Sequence, residues 1–321
     1  MGAEGLDGLV ERLAQRDVRA AARVISLLES DPDFAPVFIP ALAKVHRQRP
    51  RLGVTGSPGV GKSTVVNALI RHVRGLGMRV GVVAVDPTSP FSGGALLGDR
   101  VRMNEFFSDD AVFIRSMGTR GSMGGLSAAT ANVVRVLEVF GSDVVFIETV
   151  GMGQTGFDIV DIADCVTLVL SPEAGDQIQT MKAGVMEIAD IFVINKADRP
   201  GADAVRVALE QTLAMVWERL PWRPPVLSSE ARTGKGIAEI WQMFGEYLNY
   251  LGEHDRAREK RLRQVEREIE FNVASLVQRH LSAASEVTPA TRLRSVAQEV
   301  AAGRLTTFEA ARRLLDELPR P

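Results

Sequence analysis

The run Gly56-Ser57-Pro58-Gly59-Val60-Gly61-Lys62-Ser63, with Thr64 behind it, matches GxxxxGK[ST]. Its glycines let the backbone curl tightly enough to aim its N–H groups at a phosphate. The helix that opens at Lys62 adds its positive end at the same point. Lys62 suits the β and γ phosphates of a nucleotide, and the Ser63 hydroxyl suits a magnesium ion bound to them. The motif carries weight only between a strand and a helix. Both are present: the apolar run Leu52–Thr55 precedes it, and Val65, Val66, Leu69 and Ile70 follow at helical spacing.

A second constellation chooses the base. Asn195-Lys196-Ala197-Asp198 follows the apolar run Ile191–Ile194 and reads NKxD. A carboxylate at Asp198 can accept from N1–H and from the 2-amino group of guanine. Adenine has no 2-amino group and offers an acceptor at N1, so the carboxylate would stay unpaired. Sites built on such bonds discriminate by roughly four orders of magnitude. Alone, NKxD also fits a solvated loop. Its place after a strand, in a chain that holds a phosphate loop, favours GTP and GDP over ATP, because ligands of such sheets bind at the C-terminal strand ends. Ser228-Ser229-Glu230-Ala231 closes a further strand, where Ser229 and Ala231 can offer a main-chain N–H to the guanine oxygen.

Three acids end strands or begin loops. Asp86 follows Val80–Val85, Asp99 lies in Gly98-Asp99-Arg100, and Glu148 begins Glu148-Thr149-Val150-Gly151. Each could be a helix cap or a solvated loop residue. Each could also hold magnesium, directly or through water. GTPases usually carry DxxG where this chain has Glu148, and the longer carboxylate can serve the same ion. The Gly151 N–H can meet a γ-phosphate and move when it leaves, which makes a two-state switch. Met152 stands where many GTPases place a water-orienting glutamine, and Gln154 comes two residues later. Slow intrinsic hydrolysis, stimulated by a partner, is therefore expected.

These residues need a scaffold that brings strand ends together. Apolar runs at Leu52–Thr55, Val80–Val85, Ala111–Ile114, Val144–Ile147, Val166–Leu170, Ile191–Ile194 and Pro225–Ser228 alternate mostly with helical stretches. That pattern predicts an α/β fold with a mostly parallel sheet covered on both faces by helices. Residues 6–29 are expected to form one helix and Ile39–Arg47 a second, giving an N-terminal helical extension over 1–49 before a nucleotide domain over 50–252. A helical region follows over 253–321, with Leu262, Val265, Ile269, Val273 and Leu276 as an apolar stripe, Thr288-Pro289 as a helix start, Gly303 as a helix end, and Thr306 with Glu309 as a capping box. The formal net charge of -2 argues against a general nucleic-acid coat or a membrane-surface protein. No uncharged apolar stretch is long enough to span a bilayer. The sole cysteine, Cys165, excludes a disulfide framework within one chain and is expected as a buried hydrophobe. With neither a basic cap nor an apolar run in Met1–Asp7, a cytoplasmic location is expected.

Together these residues resemble the MeaB/ArgK family of P-loop GTPases. The likeness is carried by the phosphate loop, Asp86-Pro87-Thr88-Ser89, Gly93-Gly94, Leu97-Gly98-Asp99-Arg100 and Arg115-Ser116-Met117-Gly118-Thr119-Arg120-Gly121. It continues in Glu148-Thr149-Val150-Gly151-Met152-Gly153-Gln154, Gly175-Asp176-Gln177-Ile178-Gln179 and Glu187-Ile188-Ala189-Asp190 leading into Asn195-Lys196-Ala197-Asp198. The resemblance implies a P-loop NTPase fold and a metallochaperone that serves adenosylcobalamin-dependent acyl-CoA mutases such as methylmalonyl-CoA mutase. It implies that Asp86, Asp99 and Glu148 surround magnesium and the γ-phosphate, and that Lys182, in a mobile segment from Gly175, takes part in partner-stimulated hydrolysis. It also implies a C-terminal dimerisation arm, although the apolar stripe could equally pack on its own domain. Tightly held cobalamin is not expected on this chain alone. Pro90-Phe91-Ser92 and Gln154-Thr155-Gly156-Phe157 depart from the commonest family wording, in loops that would face the nucleotide or the partner.

Other readings share parts of this pattern. A nickel-insertion GTPase would have Cys or His ligands near the phosphate loop, whereas this chain has one Cys and the scattered His46, His72, His254 and His280. A kinase acting on a transport-binding protein would need a phosphoacceptor or catalytic-loop pattern, and none is visible. A GDP-binding scaffold would keep the nucleotide site and lack turnover.

Overall fold

A computed structural model describes residues 3–31, 33–86, 103–118, 128–149, 158–174, 188–215, 221–283, 289–302 and 304–316. They form two compact units, residues 1–261 and 262–321.

The first unit is built on a seven-stranded sheet. Its strands are β1 (Arg51–Thr55), β2 (Val80–Asp86), β3 (Val112–Gly118), β4 (Val144–Thr149), β5 (Cys165–Leu170), β6 (Ile191–Asn195) and β7 (Val226–Ser229). They lie in the order β3-β2-β4-β1-β5-β6-β7, and every pairing is parallel. All seven apolar runs read from the sequence become strands. The run expected at Ala111–Ile114 instead forms Val112–Gly118, because β3 follows β2 residue for residue to Asp86↔Gly118. Parallel strands need crossovers, and α4 (Lys62–Gly75), α5 (Ala128–Val139), α6 (Ala202–Ala214) and α7 (Ile237–Gly252) lie between or after them.

Both faces of the sheet are covered, which explains the near-continuous apolar wording of β1, β4, β5 and β6, each buried at every position. Alternate side chains serve opposite layers. Leu52, Val54, Val82 and Phe146 join α4 and α7 on one side. Val83, Val85, Val145 and Ile147 join α5 and the N-terminal helices on the other. Leu168, Leu170, Phe192 and Ile194 pack with α6. Each buried Val, Leu, Ile or Phe contributes about 1.5–3 kcal/mol relative to exposure. Cys165 is fully buried, and that burial pushes its thiol well up, so it is an inert packing residue.

The N-terminal residues differ from the single helix expected over 6–29. They form α1 (Ala3–Ala14) and α2 (Val18–Ser30), separated where Arg16 takes φ 64° and Asp17 caps the second helix by accepting from the N–H groups of Arg19 and Ala20. An apolar stripe that continues across such a break hides it, although Asp17 carried the capping signal. The next helix, α3, covers Phe34–Ala43 rather than Ile39–Arg47 and keeps Pro40 inside it. Leu9, Leu13, Val24, Ile25, Phe38 and Leu42 belong to the same core as Val83 and Ile147, so these helices complete one layer of the sheet.

That layer is pinned at the N-terminal strand edge. Glu138 of α5 accepts from Arg51 Nε at 2.8 Å and Nη2 at 2.9 Å, and from the Arg49 N–H at 3.1 Å, with His46 Nε2 at 2.5 Å. Burial pushes the Glu138 carboxyl up, but the bonds from His46 and Arg51 outweigh it and hold the group below its ordinary value. Nearby Asp164 accepts from the Arg51 N–H at 2.9 Å, and burial raises it.

The second unit contains most of α8 (Arg256–Ala283), α9 (Pro289–Ala301) and α10 (Thr307–Asp316). The expected capping box is present: Thr306 N–H donates to Glu309 Oε2 at 2.8 Å, and the Glu309 N–H donates to Thr306 Oγ1 at 3.2 Å. Pro289 begins α9, while Gly303 lies outside the described residues. Leu262, Ile269, Val273 and Leu276 of the α8 stripe are exposed. Among the described residues no helix is long and apolar enough to cross a membrane.

Candidate functional site

The site lies at the C-terminal edge of the sheet, where the order reverses on either side of β1. The chain leaves β1 through Gly56, at φ 147°. A Cβ on Gly56 would stand 2.2 Å from the Val169 carbonyl oxygen of β5, so glycine alone lets the loop begin this close to its neighbour. Ser57, Pro58, Gly59 and Val60 carry the loop round to Gly61, which caps α4 in the left-handed region at φ 94°. A Cβ there would meet Asn195 Nδ2 at 2.4 Å. No side chain caps this helix start, and its first-turn N–H groups suit an anion.

Lys62, Ser63 and Thr64 form the first turn of α4. Lys62 is buried, and its Nζ donates to the Ser57 carbonyl oxygen at 3.1 Å, which keeps the ammonium inside the loop. Ser63 Oγ donates to Glu148 Oε1 at 2.6 Å. Glu148 is buried in β4, opposite Val54 of β1 and Ala84 of β2. One residue on, Thr149 Oγ1 donates to Thr55 Oγ1 at 2.9 Å and ties the ends of β4 and β1. A hydroxyl and a carboxylate oxygen thus converge beside the helix start, the hard oxygen donors that a magnesium ion takes. Asp86 ends β2 at the same edge, and its side chain lies outside the described residues.

The base-side loop is bound directly to the phosphate loop. Asn195 ends β6 opposite Ser229 of β7. Its Nδ2 donates to the Val60 carbonyl oxygen at 3.0 Å, and its Oδ1 accepts from Ser229 Oγ and from the Ala231 N–H, both at 3.2 Å. The Ala197 N–H donates to the Ser229 carbonyl oxygen at 3.0 Å. The buried Asn195 side chain therefore joins three loops. The Ala231 N–H belongs to this bridge, and it would need a bifurcated bond to serve a purine oxygen as well. Lys196 takes φ 59°, and Asp198 is exposed on the turn that follows.

The structure therefore brings together residues 56–64, Glu148, Asn195, Lys196, Asp198, Ser229 and Ala231, with the main chain of Asp86 on the same edge. Asp99, Gly151, Gln154 and Lys182 lie outside the described residues. Two charged features are not evident from motif reading. Lys235 bonds Glu230 Oε1 at 2.7 Å and is pushed up chiefly by that carboxylate and, to a lesser degree, by Asp198. Glu173, on the turn after β5, pairs with Lys196 and Arg199. The Glu230–Lys235 pair lies within one turn and matches no motif, and Glu173 meets Lys196 and Arg199 from a different loop.

A parallel sheet with this loop after its central strand, and with NKxD two strands away at the same edge, defines a P-loop GTPase. Residues 21–286 match the family model described as methylmalonyl Co-A mutase-associated GTPase MeaB, and the chain belongs to that family. A Pyrococcus horikoshii protein named as a GTPase is 48% identical, over 87% of this chain and 89% of its own length. GTPase ArgK of Escherichia coli is 34% identical, over 79% of this chain and 80% of its own. The mouse methylmalonic aciduria type A homolog, mitochondrial, is 32% identical, over 77% of this chain and 64% of its own. Among solved structures, one titled LAO/AO transport system kinase superposes with a TM-score of 0.73 at 27% identity and covers 98% of both chains. The chain is a GTPase with a guanine-nucleotide site.

Proposed function

We propose that this GTPase gates the loading of adenosylcobalamin onto an acyl-CoA mutase and protects that enzyme, with methylmalonyl-CoA mutase as the partner. The observation that carries this reading is the match of residues 21–286 to a mutase-associated GTPase family. The mouse relative, named for methylmalonic aciduria, supports it. The Asn195–Val60 bond supports the nucleotide part, because it sets a phosphate cradle and a purine selector at a fixed distance on one edge.

In this reading the N–H groups of residues 59–64 and the Lys62 ammonium hold the β and γ phosphates. Asp198 reads N1–H and the 2-amino group of guanine, while Asn195 and Lys196 hold that loop in place. Ser63 and Glu148, with Asp86 and Asp99, would hold magnesium, which supplies charge neutralisation on the transferring phosphoryl group. Gly151 senses the γ-phosphate. Gln154 and Lys182 assist attack by water, Lys182 once the partner is bound. The loops around 86–99, 148–156 and 175–182 take one arrangement with GTP and another after hydrolysis. The exposed stripe of α8 pairs two copies into a homodimer in the cytoplasm, and cobalamin stays with the mutase rather than on this chain.

Capture from the source cell with a non-hydrolysable GTP analogue tests the partner. Recovery of a cobalamin-dependent mutase is expected, and recovery of only unrelated proteins refutes it. The isolated chain should turn GTP over slowly and speed up when the mutase is added. Turnover of roughly ten per second without a partner would contradict the switch. Transfer of labelled phosphate to a protein, abolished by Lys62→Ala, would favour a kinase instead.

A further inference from the structure

The roles above leave unused a carboxylate at the end of β5. The strand stops at Leu170, Ser171 is buried, and Pro172–Ala174 makes one 3-10 turn that carries Glu173. Glu173 Oε1 accepts from Arg199 Nη1, and its Oε2 lies 3.5 Å from Lys196 Nζ. A hydrogen bond from the Ser171 side chain, then the main-chain N–H of Glu173 itself, then Arg199 and Lys196 hold the carboxyl down to about 2, so it stays anionic. Lys196 sits in the left-handed region, which long side chains seldom adopt. Its main chain is gripped on both sides, by the Asn195 bridge before it and by the Ala197–Ser229 bond after it. Glu173 grips the far end of its side chain.

We propose that Glu173 is a positioning residue for the guanine nucleotide: by pairing with Lys196 and Arg199 it fixes the Lys196 side chain within the base loop, slows nucleotide release and sharpens the choice of base. This rests on the guanine reading of Asn195–Asp198. A bare surface ion pair would matter little, and the Glu173 side chain is 49% exposed. Two features raise it above that. One carboxylate serves two cations, and one of them belongs to the base loop. The main chain of Lys196 is also held on both sides, so the pairing acts on a side chain that projects from a fixed backbone. Solvent screening still limits the effect, to roughly three- to tenfold in release rate.

The test is displacement of a fluorescent GDP analogue from the full-length protein. Glu173→Gln, which keeps the shape and removes the charge, should release it about three to ten times faster at low salt. Glu173→Asp should recover part of the loss. In 1 M NaCl, where the Debye length is about 3 Å, the difference from wild type should shrink below about twofold. The preference for GDP over inosine diphosphate, which lacks the 2-amino group, should fall in Glu173→Gln. In a Lys196→Ala background the same change should do nothing further, because coupled residues lose their effects together. Unchanged release by Glu173→Gln, or an equal change in the Lys196→Ala background, overturns the inference alone. A wild-type chain that retains no GDP analogue overturns the guanine reading and this inference with it. Where Glu173→Gln lowers the melting temperature, Arg199→Ala supplies the second variant, and it too must speed release.

Discussion

Asn195→Ala removes a side chain that touches three loops of the site. Its Nδ2 bond to the Val60 carbonyl oxygen holds the phosphate loop, and its Oδ1 bonds hold Ser229 and the Ala231 N–H. Removal leaves the Val60 carbonyl and the Ala231 N–H without this partner in a buried setting, at about 1–3 kcal/mol for each orphaned group. Both lie in loops at the sheet edge, where water can enter once the loops part, so the lower half of that range applies and the sum is about 2–4 kcal/mol. The loss divides between stability of the empty protein and affinity for GDP. If it all fell on affinity, GDP would bind roughly thirty to several hundred times more weakly. Urea unfolding of the nucleotide-free protein and titration with a fluorescent GDP analogue together recover the sum. Asn195→Asp keeps the acceptor but places a carboxylate oxygen against the Val60 carbonyl, so its effect on the phosphate loop should be at least as large. If both variants stay within about 0.5 kcal/mol of wild type in both assays, Asn195 does not hold the site together.

Gly61→Ala should cost about 1–3 kcal/mol and weaken GTP binding in the same titration, because φ 94° is strained for alanine and the new methyl meets Asn195 Nδ2. Arg51→Met should cost about 3–5 kcal/mol in urea unfolding by stranding buried Glu138. Glu138, held below its ordinary value of 4.5, contributes stability that is present above that value and lost as pH falls through the lower folded one. Asp164, raised above 3.8, has the opposite sign: its contribution is present below its ordinary value and lost as pH rises through the folded one. Unfolding measured from pH 6 to 3 should therefore show a flatter acid limb in Glu138→Gln than in wild type.

What could be read before folding was local in the chain. GxxxxGK[ST] lies within eight residues and NKxD within four, and each follows a run of buried residues that only a covered parallel strand explains. The capping box at Thr306 and Glu309 is local too. The break between α1 and α2 escaped because the same apolar face continues through Arg16 and Asp17. Strand order had no local signature at all. It follows from which crossovers pack on which face, and it is what sets Val54 opposite Glu148 and brings Ser63 within 2.6 Å of that carboxylate across 85 positions of chain.

The same distinction explains the design of the edge. Each motif is local in the chain, whereas the bonds that set the motifs and strand ends against each other join distant positions: Asn195 to Val60, Thr149 to Thr55, Glu173 to Lys196. A switch needs such cross-links, because a change at the phosphates moves a remote surface only through elements with two discrete arrangements. Glu173 stands immediately before the stretch expected to carry Lys182, and Asn195 stands on the strand just after it. The described elements on either side of it, the turn that carries Glu173 and the strand that ends in Asn195, both join the base loop. In the proposed cycle, a rearrangement between them would depend on the base as well as the γ-phosphate. Under the proposed pairing with a mutase, stimulation of turnover by that partner should weaken with inosine triphosphate more than binding does, and equal stimulation at saturating GTP and inosine triphosphate would show that the stimulated step is independent of the base.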